Sequence, residues 1–575
     1  MVWASITGLV DHEGGASEYV SVSDLERERL AHHPWSIGGG GAAELKQLLD
    51  ERRTSPLVAV VEDIGVVAVL GEDEAMTRPR AQQWQGGPAI RLVVGEEVRD
   101  WSITTSGEAA AYPYDVVGQP VAAARLDTVA WPWRTTLANY VFFGKRRSER
   151  GLRFYDYGAL MSDKLRTPLS IVFAEVATHN HFVLDRGGKV FNRTAPVVKL
   201  GTGASVDDHL ALVGVLNSST ACFWSRQVFH DKGNGGYGGG IANEEWERFF
   251  VRDGTKLQSF PLPAGSALAY GRELDRLAQV SSGSSAAAVA GRGVPSVGAL
   301  AEAAQAYAAT QARMVAVQEE LDWHVLLLYG LTDEALTSPV DEVPDLLLGE
   351  RAFEIVLARR IAAGEEESSW FVRHGSTPIT ELPSHWTDAY RRLVDRRIEL
   401  IESDLNVGLV ERPEHKRRWN TEAWDAQVTA ALRGWLLDRL ESPAVWPSPA
   451  LRTVAGLADV VRLDPEMMDV ARQLGGQDVD VVKLVGELVA EEAVPFLAAH
   501  RYSTDGLRVR AQWEATWELQ RAEDRGEDVG VIPVPPKYGQ KDFARGSYWK
   551  LRVKLDANLS PAAPNNHAAD GLTRL

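Results

Sequence analysis

Apolar and polar positions follow different rhythms in successive parts of this chain. After a glycine-led helix entry, "GGGGAAELKQLLDERRTS", the runs "PLVAV" and "GVVAVLG" flank "VEDI", which predicts a hairpin of β-branched strands. A β-rich section continues through "AIRLVVG". Over residues 169–200 the runs "LSIVFAEVA", "HFVL", "KVF" and "APVVKL" alternate with turn chemistry, notably Asp185-Arg186-Gly187-Gly188, and predict an antiparallel meander. From Asp208 the period becomes helical, with Leu212, Val213, Leu216, Phe223, Trp224 and Val228 on one face. "FPLP", Phe260 to Pro263, can continue neither a helix nor a central strand. "SSGSSAAAVAGRGVPS", 281–296, reads as a small-residue linker and a domain boundary. Beyond it a long proline-free run, "LAEAAQAYAATQARMVAVQEELDWHVLLLYG", predicts a helix that spaces two domains. Trp386, Tyr390, Leu393, Val394, Ile398, Ile401 and Leu405, then Trp424, Val428, Leu432, Trp435, Leu436 and Leu440, keep helical spacing and read as core rather than as a base-stacking platform. The expected fold class is α+β: a mixed section with antiparallel strands, a long helical spacer and a mostly α-helical C-terminal region.

Composition narrows the class. With 575 residues, 45% apolar and 24% charged, the chain can build several real cores and is not disordered overall. No apolar run approaches the roughly 18 residues that span a bilayer, and the start "MVWASITGLVDHEGG" has no basic region followed by a long apolar one. A cytoplasmic protein is expected. The single cysteine, Cys222, excludes a disulfide framework and a Cys-rich zinc site within one chain, and its setting in "TACFW" predicts a buried structural thiol.

The net charge of −18 argues against a polyanion partner until its distribution is considered. Between Arg134 and Lys199 there are twelve Lys or Arg against five acids. A basic island in an acidic protein fits a localised phosphate-binding face, because neutralised phosphates release counterions. The run "KRRSER" alone reads more readily as a solvated charged surface. A second feature is the loop Gly233 to Gly240, with six glycines in eight positions, directly after "HDK". Its bare backbone could approach a phosphate or base edge closely, or could be slack.

Catalytic signals are weak. "SIGGGGAAEL" opens a helix but has no strand before it, and neither glycine cluster ends in Gly-Lys-Ser/Thr. "IPVPPKY", Ile532 to Tyr538, superficially resembles the Asn/Asp-Pro-Pro-Tyr/Phe motif of amino-methylating enzymes. Val534 stands where the amide or carboxylate is needed, and Lys537 intervenes before Tyr538, so a docked polyproline II segment is the better reading. His179 and His181, in "THNH", would share one face of a strand and could contribute to a metal site, but no third ligand is identifiable and strand-surface polar contacts explain them better. Glu244-Glu245 does not indicate a glycosidase.

The ordered set "HPWSIGGGG", "AYPYD", "KLRTPLSIVFAEVATHNHFVLDRGGKVFNRTAPVVKL", "LALVGVLNSSTACFW", "FPLP", "LDWHVLLLYGL", "SSWFVRHGSTPITELPSHW", "LIESDLNVGLVERPEHKRRW" and "IPVPPKYGQKDFARGSYWKLR" resembles the PglX-type adenine-specific DNA methyltransferases of type 2 BREX, or phage-growth-limitation, defence. The resemblance covers most of residues 30–555 and implies the part downstream of the catalytic domain, since no S-adenosylmethionine site or Asn-Pro-Pro-Tyr motif appears. It implies a linker remnant over 1–54, a DNA target-recognition domain over 55–265, a linker and helical spacer over 266–345, a helical domain over 346–555 and a disordered tail over 556–575. No cofactor is expected in this chain; S-adenosylmethionine is implied for a catalytic domain encoded elsewhere, whether by a split gene or lost by truncation. Double-stranded DNA, that methyltransferase domain and other phage-defence proteins are the implied partners, with no membrane. The expected DNA contacts are Arg134, Lys145, Arg146, Arg147, Arg150, Arg153, Lys164, Arg166, Asn180, Arg193, Arg226, His230, Lys232, Asn234 and Tyr237. A scaffold subunit of the defence complex and a methyltransferase with an unrecognised site remain open.

Overall fold

The computed structural model describes residues 2–12, 40–78, 86–104, 108–233, 244–419, 422–447, 452–489 and 502–543, with 14, 15, 17, 20, 22 and 84 between them. Asn234 and Tyr237, and the tail from 556 onward, lie outside the described residues. Within this range the chain is α+β, with short strands in its first half and helices dominating the second.

Gly41, at φ 90, opens α1 (Ala42–Glu51), whose Leu45 and Leu49 are fully buried. The left-handed φ of Gly41 favours glycine, and a Cβ there would also meet the Leu405 side chain at 3.0 Å. The expected hairpin is not formed. "VEDI" is itself a strand, β1 (Val61–Gly65), because its outward carboxylates, Glu62 and Asp63, only imitate a turn in sequence. Next come β2 (Ala89–Val93) and β3 (Ala109–Ala111), then a small hairpin of β4 (Val141–Phe142) and β5 (Lys145–Arg146).

The meander is present as β6 (Ser170–Phe173), β7 (Val176–Ala177), β8 (Phe182–Asp185), β9 (Lys189–Phe191) and β10 (Val197–Leu200), but its strands divide among three sheets. An antiparallel sheet runs β8-β6-β10-β1, with Phe173 opposite Phe182, Ile171 opposite Val198 and Val198 opposite Ile64. β9 leaves it to lie parallel to β2, which pairs in turn with β3. Val67, Val93, Val172, Val183 and Val197 form a compact apolar layer around these strands.

The apolar helix-like run after Asp208 is two helices, α2 (Val206–Leu216) and α3 (Ser219–Val228). Ser218 breaks it: its hydroxyl accepts from the Ala221 N–H at 3.1 Å and caps α3. β11 (His230–Gly233) and β12 (Phe249–Val251) complete a small sheet with β7. "FPLP" is also used as a strand, Pro261–Leu262 pairing with Ser55–Pro56, where two edge positions tolerate proline.

The expected flexible linker is helical. α4 (Leu268–Gly283) and α5 (Ala286–Arg292) leave only two residues between them, and Ala286 is fully buried. Alanine-rich sequence composes linkers and helices alike, and packing decides between them. The predicted long helix is α6 (Val297–Leu328), capped by Ser296. α7 (Ala352–Ala363), α8 (Asp388–Ser403) and α9 (Leu405–Val410) pack on its C-terminal half, and one core continues from Leu45 through the sheet to Trp419. That core crosses both expected boundaries near 265 and 345.

A separate helical core holds α5, Leu300, α10 (Trp424–Leu440), α11 (Val454–Leu463), α12 (Pro465–Gly475) and α13 (Val481–Val489). The last helix, α14 (Thr504–Asp524), returns to the strand-rich half. Trp513 meets Trp133 edge-on at 5.2 Å, and Trp517 donates to the Pro132 carbonyl at 3.0 Å. "IPVPPKY" docks on α14 as expected: Trp513 donates to the Pro536 carbonyl at 2.9 Å, and the Tyr538 ring is nearly parallel to Trp513.

Candidate nucleic-acid interface

The run "KRRSER" splits by direction. β4 and β5 pair Phe142 with Lys145 and Val141 with Arg146 across a two-residue turn, Phe143-Gly144, with φ 49 and 75. Positive φ at both central residues is the turn that matches strand twist, normally Asn-Gly. Phenylalanine there costs roughly 1–3 kcal/mol of backbone strain. Lys145, Arg146 and Arg150 point outward and are exposed. Among the described residues neither the Lys145 nor the Arg146 side chain makes an ion pair, although the Glu149 carboxylate accepts the Arg146 backbone N–H at 2.7 Å.

Arg147, between them, points inward and is 1% exposed. Its guanidinium donates to the carbonyls of Leu137 at 2.8 Å, Phe154 at 2.9 Å and Leu70 at 2.7 Å, and it sits over the Tyr140 ring. Burial pushes its pKa down, and no carboxylate bonds it directly. Arg147 therefore fastens the hairpin to the body rather than contacting a ligand. Arg150 is partly committed, donating to the Gly158 carbonyl and lying over Phe142.

The other expected contacts are distributed differently. Arg134 is held by Glu523 and Asp524 of α14. Arg153 is paired with Asp156 at 2.6 Å, Lys164 is buried against Asp63, and Arg166 is exposed beside Asp163. Arg193 is exposed on the turn after β9. Arg226 is largely enclosed, its guanidinium 4.5 Å from the Phe250 centroid and donating to the Glu245 carbonyl at 2.8 Å. His230 and Lys232 are exposed on β11, at the start of the glycine-rich loop.

Asn180 is a correction. It is 1% exposed, and its amide donates to the carbonyls of Leu216 and Ser218 at 2.6 and 3.0 Å, so it cannot reach a duplex. It belongs to a buried polar junction. "THNH" lies in the connection between β7 and β8, not on a strand. Asn217 continues the β8 ladder with its side chain, accepting from the Phe182 N–H at 3.0 Å and donating to the Phe182 carbonyl at 2.8 Å. Cys222 is buried, its Sγ 3.2 Å from His179 Nδ1, and burial pushes its thiol pKa up, which removes its nucleophilic character.

The sequence reading missed the partner of this junction, "EHKRRW". Arg417 donates to Asp100 at 2.9 Å, to the Asn180 carbonyl at 2.9 Å and to Asn217 Oδ1 at 3.0 Å. Lys416 is buried among Asp322 at 2.9 Å, Glu411 at 2.9 Å and Glu319 at 3.6 Å. Burial, with the Arg417 guanidinium beside them, holds His179 and His181 well below the ordinary histidine pKa. These imidazoles are neutral, and among the described residues no group of three His, Cys, Asp or Glu could hold a metal. The junction locks strands to helices; only the proximity of three basic residues to a tryptophan could have hinted at it.

A domain of unknown function (DUF7008) matches residues 314–559. The chain is 44% identical over 584 aligned residues to the adenine-specific methyltransferase PglX of Streptomyces coelicolor. That alignment takes in 97% of this chain and 48% of the relative, so the chain spans about half of the relative's length.

Proposed function

Taking the chain as a homologue of PglX-type proteins, we propose that it serves an adenine-specific DNA methyltransferase of a BREX phage-defence system as its DNA-gripping specificity portion. The observation that carries this reading is the hairpin: Lys145 and Arg146 stand exposed and unpaired on a support fastened by Arg147. Unpaired cations on a rigid projection suit backbone phosphates, which fix register, while base edges are left to other groups. Arg193, His230 and Lys232 are further exposed cationic or titratable groups on the strand-built half. In this reading S-adenosylmethionine and the transfer chemistry belong to a separate methyltransferase domain. Placing the cofactor outside this chain is supported by Gly41, which packs on Leu405 and Leu409 rather than facing an open cradle. No helix among the described residues is long and apolar enough to cross a membrane.

The test is duplex binding by the full chain as a function of salt. Each phosphate contact contributes about 0.9 to the slope of log K against log salt, so neutralising Lys145, Arg146 and Arg150 to Gln lowers the slope by about 2 to 3. Binding that ignores both salt and these substitutions would sink the reading. It would leave a scaffold that docks other defence proteins.

A further inference from the structure

The tip of the β4–β5 hairpin is aromatic. Phe143 is 89% exposed, and Val141 beside it is 53% exposed. A large apolar side chain so far from any core gains nothing from folding, and its left-handed backbone, at φ 49, is a conformation that glycine or asparagine would take without strain. Two unfavourable features at one residue call for a gain elsewhere. The surroundings show of what kind. The Phe142 ring lies 4.3 Å from that of Phe143 and supports it, and Arg150 lies over Phe142 in turn. Lys145 and Arg146 follow directly, their side chains exposed and without an ion pair among the described residues. The base of the hairpin is immobilised by the three carbonyl contacts of Arg147.

A protein groove would suit the aromatic tip but not the exposed cations that follow it, whereas a duplex suits both. We propose that Phe143 is a wedge: with Lys145 and Arg146 holding phosphates beside it, its ring enters between neighbouring base pairs and unstacks one step. This rests on the hairpin gripping DNA, and adds that the grip deforms the duplex. Distortion of that kind makes affinity depend on how easily a step opens, so flexible pyrimidine–purine steps are favoured without any base-edge hydrogen bond from the hairpin.

The test treats mixed-sequence duplex, saturated with the full chain, with permanganate, which attacks unstacked thymines. The wild type produces reactive thymines within the bound tract. Phe143→Asn, which suits the left-handed turn, melts no lower than the wild type, binds about tenfold more weakly, keeps the same salt slope and gives no reactive thymines. Phe143→Leu retains part of the reactivity. Wild-type binding with a normal salt slope but no reactive thymine overturns the wedge and leaves the DNA grip standing. Full affinity or undiminished reactivity in Phe143→Asn also overturns it. A chain that binds no duplex at all sinks the grip and the wedge together.

Discussion

Arg146 and Arg147 are adjacent, identical in charge and opposite in role, and substituting each by methionine separates the two. Arg147 supplies three hydrogen bonds to carbonyls of Leu70, Leu137 and Phe154. Methionine fills much of the volume but donates nothing: the Leu137 and Leu70 carbonyls keep the Tyr140 and Gly158 N–H groups, each at 3.2 Å, and lose one bond of about 1 kcal/mol each, while the Phe154 carbonyl loses its guanidinium donor at a cost of about 1–3 kcal/mol. Releasing the guanidinium from burial returns part of this, so the expected loss is about 2–4 kcal/mol. Gly71 makes room for this guanidinium, since a Cβ there would stand 2.6 Å from the Arg147 Nη2. Arg146 is exposed, and its loss changes stability by no more than about 0.5 kcal/mol. Hydrogen exchange resolved to peptides covering 137–158 reads the difference: Arg147→Met loses protection there, Arg146→Met keeps wild-type protection while its duplex binding weakens. Equal exchange in both variants would refute the division of the run into an anchor and an outward contact.

Three further outcomes follow from the packing. His179, His181 and His415 are all held well below the ordinary pKa, chiefly by burial, so the unfolded chain binds protons that the folded one does not. Their contribution is present above the unfolded pKa of about 6.5 and is lost as pH falls, by up to about 1.4 kcal/mol per unit for each histidine, with His181→Gln flattening the profile; melting that is unchanged between pH 7.5 and 5.5 contradicts this. Lys416→Met leaves Glu319, Asp322 and Glu411 facing one another and costs about 3–5 kcal/mol, read as rapid thermolysin cleavage where the wild type resists. Trp517→Ala removes a fully buried ring at a cost of about 3–5 kcal/mol, and raises exchange in both α14 and residues 131–138 while α10 to α13 stay protected; a change confined to α14 counts against the docking.

The elements with a strong local period were legible. Val297–Leu328 emerges as a helix over the long proline-free run, Trp424–Leu440 emerges where the apolar spacing places it, and the β-branched runs of 169–200 emerge as strands. Local chemistry misled where packing overrides it: Glu62 and Asp63 made a strand look like a turn, and the alanines of 281–296 made helices look like a linker. Charge was read least well, because the fate of a cation is set by residues far away in sequence. Arg134 finds Glu523 and Asp524, Arg417 finds Asp100, and Arg186 finds Asp275, none of which a window count can reveal. Phe143 carried a usable signal, an aromatic before glycine at the head of a basic run, that averaging over the window hid.

The return of α14 has a bearing on how the protein is made. Trp513, Trp517, Tyr538 and Phe543 complete a core otherwise drawn from residues 68–190. At roughly 5–20 residues per second, a ribosome delivers that closing piece on the order of half a minute after the strands it covers. Through that interval the nascent chain carries an uncovered apolar surface around Trp133, and a chaperone that shields it during translation has a defined place to sit.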